Sequence, residues 1–299
     1  GTRVTGNLFH HNCLPDDFTD CEKAYNSVGE DLFIEVSHGP TLVDHNLMLS
    51  DRSLKLATQG VALVHNLICG SLVSVGIGTD NGAPIIPSPR YTPYHVHHGT
   101  QIAGFMTILH GDTKFYNNVF IQKKIRPCMQ ELSDLMGSDG NMWDDCNMIT
   151  GTSPYDEYPT FEQWKKNFEG YCGMGSDVGD LYYEHLPVWA SGNCYFNGAR
   201  PWKKESDAFS DTENTVSISL DQKDGGWYLH TNLYDFLPEN TDGIISTETL
   251  GIAFEPEQKY ENPDGSPIIF NQDFSGDHRD ILTCAGPFIN KESASRKLF

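Results

Sequence analysis

Apolar residues recur over the first 123 positions in short alternating runs that restart at glycines. "GTRVTGNLF" begins at Gly1, "GPTLVDHNLM" at Gly39, "GVALVHNLI" at Gly60 and "GDTKFYNNVF" at Gly111. Each run reads glycine, a stretch of period two, an asparagine, then a hydrophobic pair. Period two places successive side chains on opposite faces of a strand. The asparagines are Asn7, Asn46, Asn66 and Asn118, with Asn46 and Asn66 20 residues apart. The longer intervals hold polar or Pro/Gly-rich stretches, 13–30 and 71–100, that read as inserted loops. A second recurring piece precedes the glycines: Ser37-His38-Gly39, Thr58-Gln59-Gly60 and Leu109-His110-Gly111. Such units predict an all-β fold, a right-handed parallel β-helix whose equivalent residues stack about 4.8 Å apart. Asparagine at a turn tolerates the left-handed conformation and can bond its counterpart on the next rung. The four asparagines are therefore expected as a ladder, with Leu8, Phe9, Leu47, Leu67, Ile68, Val119 and Phe120 as core.

The pattern changes after Lys123. "CMQELSDLMG" and "TFEQWKKNFEGY" carry helical periodicity, and Thr160 with Gln163 forms a capping box. "VWASGNCYFNGA" returns to strand character, and beyond it "TVSISL", "GWYLHT", "GIAFEP" and "SPIIFN" alternate with turns. The expected organisation is β-helix rungs with inserted loops over 1–123, a helical and loop excursion over 124–185, a return strand over 186–212, and a β-sandwich-like region over 213–299.

Composition narrows the partners. Lys and Arg total 20 against 41 Asp and Glu, a net charge of −21. Such a surface repels nucleic acid and anionic lipid, so neither is expected as a partner. No apolar run is long enough to span a bilayer. The eight cysteines form no CxxC or zinc-type cluster and read as free thiols in a reducing compartment, which leans the localisation to the cytoplasm. Cys13 and Cys21 flank a loop and are the one pair whose bridging is considered. The sequence is expected to continue upstream of Gly1. No metal or other cofactor is expected, and a homo-oligomer is left open.

Glu35 carries the strongest chemical signal. It interrupts "DLFIEVSHGP", and if Ile34 and Val36 face inward, Phe33 and Glu35 face out. An outward glutamate is ordinarily solvated surface. Beside Phe33, His38 and two long insertions, it also fits a groove where partial desolvation would suit it to proton donation. Retaining glycoside hydrolysis needs two carboxyl groups about 5–5.5 Å apart, close to the rung spacing of about 4.8 Å. The rung equivalent of Glu35 would fall just ahead of Gly1. A second cluster, "RYTPYHVHHGTQIAG", concentrates Arg90, Tyr94, His95, His97 and His98. It fits a polar loop, sugar contacts or metal ligation. On a strand His97 and His98 would point opposite ways, whereas His95 and His97 would share a face, and two histidines without a clear third ligand are a weak metal signal.

The stretches "GTRVTGNLF", "EDLFIEVSHGPTLVDHN", "QGVALVHNLICG", "RYTPYHVHHGTQIAGF" and "GDTKFYNNVFI" resemble glycoside hydrolase family 120, β-xylosidases built on a parallel β-helix with an attached β-sandwich. The match is strong over 1–8 and 30–123, and weaker through "TFEQWKKNFE", "NCYFNGARP" and "STETL". The resemblance implies that the chain corresponds to the C-terminal half of such an enzyme. It places the general acid/base on Glu35 and the nucleophilic aspartate upstream of Gly1. The implied activity is retaining release of terminal xylose from xylobiose and xylo-oligosaccharides, with an N-terminal half as necessary partner. His38, Arg90, Tyr94, His95 and His98 are the expected substrate contacts. A β-helix polysaccharide lyase and a non-catalytic carbohydrate-binding β-helix are the alternatives.

Overall fold

The computed structural model describes residues 1–15, 18–20, 28–74, 91–138, 147–172, 184–239, 243–280, 284–289 and 295–299. Arg90 and Cys21, and with Cys21 the considered bridge to Cys13, lie outside them. Cys13 places its sulfur 3.7 Å from Met129 Sδ, and burial pushes its thiol up to about 11.

Strands dominate, mostly in parallel sheets, and helices are few. Sheet A contains β1 (Thr2–Thr5), β4 (Thr41–Asp44), β7 (Gln59–Val64), β12 (Gly111–Tyr116) and β14 (Val188–Ser191). Sheet B contains β2 (Leu8–Phe9), β5 (Leu47–Met48), β8 (Leu67–Ile68), β13 (Val119–Ile121), β15 (Cys194–Phe196) and β16 (Phe209–Asp211). Sheet C contains β3 (Leu32–Glu35), β6 (Arg52–Ala57) and β9 (Ser71–Ser74). From β1 to β9 the chain visits A, B and C in the same order on each circuit, so each strand pairs with its counterpart one circuit later.

Alternation along each short strand explains why the stack holds together. In sheet A, Val4, Val43, Leu63, Phe115 and Ala190 stand in register and turn inward. Sheet B adds Phe9, Met48, Ile68, Phe120 and Tyr195, with the rings of Phe120 and Tyr195 stacked at 5.0 Å. Sheet C adds Leu54, Leu56 and Leu72. The hydrophobic pairs expected as one core are split. Phe9, Met48, Ile68 and Phe120 fill this interior, whereas Leu8, Leu47, Leu67 and Val119 point out of sheet B into a second cluster. The physical reason is that adjacent strand residues face opposite ways.

The turn between A and B accounts for the asparagines. Gly6, His45, His65, Asn117 and Gly192 have φ of 65, 52, 55, 54 and 66°, and each precedes a ladder asparagine. Asn7, Asn46, Asn66 and Asn118 each donate Nδ2 to the Oδ1 of the next asparagine at 2.9–3.0 Å, ending at Asn193. Asn193 is a fifth ladder member beyond the four expected. At the turn from C into A, glycine is required for space. A Cβ on Gly60, at φ +70°, would lie 2.2 Å from the His38 carbonyl oxygen.

Among the described residues, two insertions that carry secondary structure leave the stack. A hairpin of β10 (Tyr91–His95) and β11 (Ile102–Thr107) separates β9 from β12. Helices α1 (Pro127–Ser138) and α2 (Phe161–Lys166) separate β13 from β14, and both hydrogen bonds of the Thr160/Gln163 capping box are present. Next come the antiparallel β17 (Ile218–Lys223) and β18 (Gly226–Thr231), joined through Asp224 and Gly225 at φ 50 and 76°. The short helix α3 (Thr247–Leu250), β19 (Ile252–Ala253) and β20 (Gln258–Lys259) follow, and β21 (Ser295–Lys297) pairs with β18. Leu229 and Leu233 cover the outside of sheet B, and Ile245, Leu250, Tyr260 and Phe270 cover the outside of sheet A. Among the described residues that covering leaves Phe33 and Glu35 on sheet C exposed.

Candidate active site

Glu35 ends β3, the outermost strand of sheet C. Leu32 and Ile34 turn into the interior, and Phe33 and Glu35 turn out. Lys55 on the next rung holds its ammonium 5.4 Å over the Phe33 ring. Glu35 itself stands opposite Ala57. Among the described residues only one edge of β3 is paired, so Glu35 stands beside an open strand edge. Val36 then takes φ 50°, which stops the strand and sends the chain to His38.

His38 is buried, and its two ring nitrogens have different partners. Nε2 lies 3.2 Å from the carbonyl oxygens of Thr92 and Met106, one on each strand of the hairpin. Nδ1 lies 3.0 Å from Gln59 Nε2. The Leu109 backbone N–H donates to Gln59 Oε1 at 2.7 Å, which fixes the orientation of that amide. Gln59 must therefore donate to Nδ1, leaving the proton of a neutral His38 on Nε2, aimed at the hairpin. Burial drives the imidazolium pKa below its ordinary value, against the opposing pull of the two carbonyls. His38 thus pins the hairpin to the turn that follows Glu35.

The hairpin forms a roof. Tyr94 lies across Gly104, its register partner, where a Cβ would come 2.6 Å from the Tyr94 hydroxyl. The same ring meets His38 edge-on, with centroids 5.9 Å apart. A cavity of about 370 Å³ lies beneath, bordered by His38, Pro40, Thr92, Tyr94, His95 and Gln258. A second, of about 420 Å³, adjoins it at Pro40, Thr100 and Gln258 and extends to Tyr260 and Glu261. Glu35 lines neither cavity, and the lining begins at the next residue, Val36.

The remaining expected contacts fall around this roof. His95 is exposed, and its carbonyl oxygen accepts from Gln258 Nε2 at 2.6 Å, tying the hairpin to β20. His97 and His98 lie beyond the strand, where the strand alternation considered for them no longer applies. At φ 51°, His98 folds back, and the two rings stack with centroids 4.0 Å apart. Both Nε2 atoms approach Glu261 Oε1, at 2.6 and 2.9 Å. Burial would raise the Glu261 carboxyl, but the two imidazoles outweigh it and hold the group below the usual range. These three side chains could hold a cation.

Sequence reasoning missed Gln59, Gln258 and Glu261. The first was legible, because Thr58-Gln59-Gly60 aligns with Ser37-His38-Gly39 and so stacks Gln59 beside His38. Glu261 lies 163 residues from His98, and no local pattern connects them.

No protein-family model and no curated protein matches the chain. Among solved structures it is similar to XylC in complex with xylose, with a TM-score of 0.74 and 28% sequence identity. The likeness covers all of this chain and 40% of XylC, so the chain spans less than half the length of that protein.

Proposed function

We propose that this chain is the C-terminal half of a retaining β-xylosidase of glycoside hydrolase family 120, and that its three-sheet stack is the end of a right-handed parallel β-helix. Glu35 is the general acid/base, and an N-terminal half supplies the nucleophilic aspartate. The observation that carries this reading is the outward placement of Glu35 on β3, whose outer edge pairs with no strand among the described residues. A further rung at that edge would stand about 4.8 Å away, near the separation of about 5–5.5 Å that a retaining pair requires.

The ladder supports the same completion. Asn7 gives its Nδ2 to Asn46, and among the described residues no donor reaches its own Oδ1. A preceding rung would present an asparagine there. The cavity under the hairpin adjoins this end, with Tyr94 and His95 at its border and His98 on the adjoining cavity, and we assign these to sugar contacts. His38 acts at one remove, by holding the hairpin. In the reaction the aspartate attacks the anomeric carbon while Glu35 gives its proton to the departing oxygen. Glu35, now a carboxylate, then takes a proton from the water that releases xylose.

Proton NMR of fresh xylobiose digests by the complete assembly tests this. The first xylose released from the non-reducing end should be the β-anomer, which then mutarotates. First-formed α-xylose, or no hydrolysis by an assembly with both halves present, contradicts the proposal.

A further inference from the structure

The convergence of His97, His98 and Glu261 is stronger than the sequence signal from which it began. Two histidines alone were a weak indication of metal. The fold brings in a carboxylate from a distant turn as the third donor. All three donor atoms lie within 4.8 Å of one another. They are two imidazole nitrogens and one carboxylate oxygen, a donor set that Zn²⁺ accepts and that leaves a fourth position open.

Each donor is placed by backbone. His98 at φ 51° lets two adjacent rings lie on the same side of the chain. Glu261 sits at the base of a tight turn, in a bridge with Pro267, while Asn262 donates its N–H to the Ser266 carbonyl oxygen at 3.0 Å. Gln258 fixes the two segments to each other through the His95 carbonyl. The rings cover the Glu261 side chain, leaving it 9% exposed, while His97 remains open to solvent. The contacts of 2.6 and 2.9 Å fit a hydrogen-bonded cluster. Tetrahedral coordination with bonds of about 2.0–2.1 Å would spread the donors to roughly 3.3 Å, a movement that exposed imidazoles can make by side-chain rotation. The chain's net charge of −21 raises the local cation concentration, and the Asp264 carboxylate adds its own field at His98.

We propose that His97 Nε2, His98 Nε2 and Glu261 Oε1 bind one divalent transition ion of the Zn²⁺ class, which staples the β10–β11 hairpin to the turn after β20. The ion would close the wall of the larger cavity and hold the roof against the stack.

The test is equilibrium dialysis of the chelator-stripped, complete protein against ZnCl₂, paired with Co²⁺ absorption and hydrogen exchange. One equivalent should bind, Co²⁺ should give a four-coordinate visible spectrum, and Zn²⁺ should slow exchange in 91–107 and 258–267. His98→Ala and Glu261→Gln should each weaken binding at least tenfold. The closely spaced pair His10 and His11 is the internal control, and His10→Ala/His11→Ala should leave binding unchanged. Melting curves of the metal-free variants separate loss of a ligand from loss of fold. No stoichiometric binding, binding unaltered by His98→Ala with Glu261→Gln, or loss only in the His10/His11 variant overturns the proposal. None of these readouts needs catalytic activity, so the result stands apart from the xylosidase reading.

Discussion

Asn193 Nδ2 donates to Glu205 Oε1 at 2.8 Å, so the column of ladder amides ends on a carboxyl group. Tyr195 donates its hydroxyl to the other oxygen at 2.7 Å. Burial is the main reason the Glu205 carboxyl is pushed up to about 7 from 4.5. Between those values the folded chain keeps a proton that the unfolded chain has lost. Stability contributed by that proton is present at low pH and is lost as pH rises through this window. Relative to Glu205→Gln, the wild type should lose on the order of 1–3 kcal/mol between about pH 5 and 8. Urea unfolding of both proteins at the two pH values measures this, and a pH-independent difference between them would refute it.

The middle of the ladder should matter far more than its open end. Asn118 is fully buried, accepts from Asn66 and donates to Asn193 and to the Leu63 carbonyl oxygen. Asn118→Ala strands those partners, each at about 1–3 kcal/mol. It should cost at least about 3 kcal/mol in chemical denaturation. Asn7 is exposed, so Asn7→Ala should cost under about 1 kcal/mol in this chain. Equal costs would show that the column is not cooperative.

Glycines with left-handed backbones at turns should divide by available space. Gly60 and Gly225 have φ of 70 and 76°, but only at Gly60 would a Cβ collide with backbone. Gly225→Ala should cost about 1 kcal/mol, the strain of the left-handed region alone. Gly60→Ala should cost several times that or prevent folding, as read from thermal melts. Equal melting temperatures for the two variants would contradict the packing account.

His38 should behave as a pH-sensitive fastener of the hairpin. Its folded pKa is lowered, so the stabilisation is present above the ordinary histidine pKa and fades as pH falls below it. Protection factors in 91–107, with the intrinsic pH dependence of exchange divided out, should fall on acidification in the wild type. His38→Ala should show low protection at every pH. High protection in that variant would remove the positioning role.

These relationships differ in how far the sequence reveals them. Asn46, Asn66 and Asn118 were legible because a turn repeated by stacking demands one residue type at one place. Glu35 was legible as an outward residue because Ile34 beside it had to face in. Glu205 was not, because a ladder cap occurs once and leaves no period. The convergence of His97, His98 and Glu261 was also hidden, since it depends on a φ of 51° at His98 and on docking of a remote turn.

Glu35 is tested most directly by comparing two leaving groups in the complete assembly. Xylobiose expels an alkoxide that needs a proton, whereas a nitrophenyl xyloside does not. Glu35→Ala should lower kcat/KM for xylobiose by roughly 10²–10⁴-fold, largely spare bond cleavage in the aryl xyloside, and yield xylosyl azide when azide is added. Undiminished xylobiose hydrolysis by Glu35→Ala would contradict the assignment.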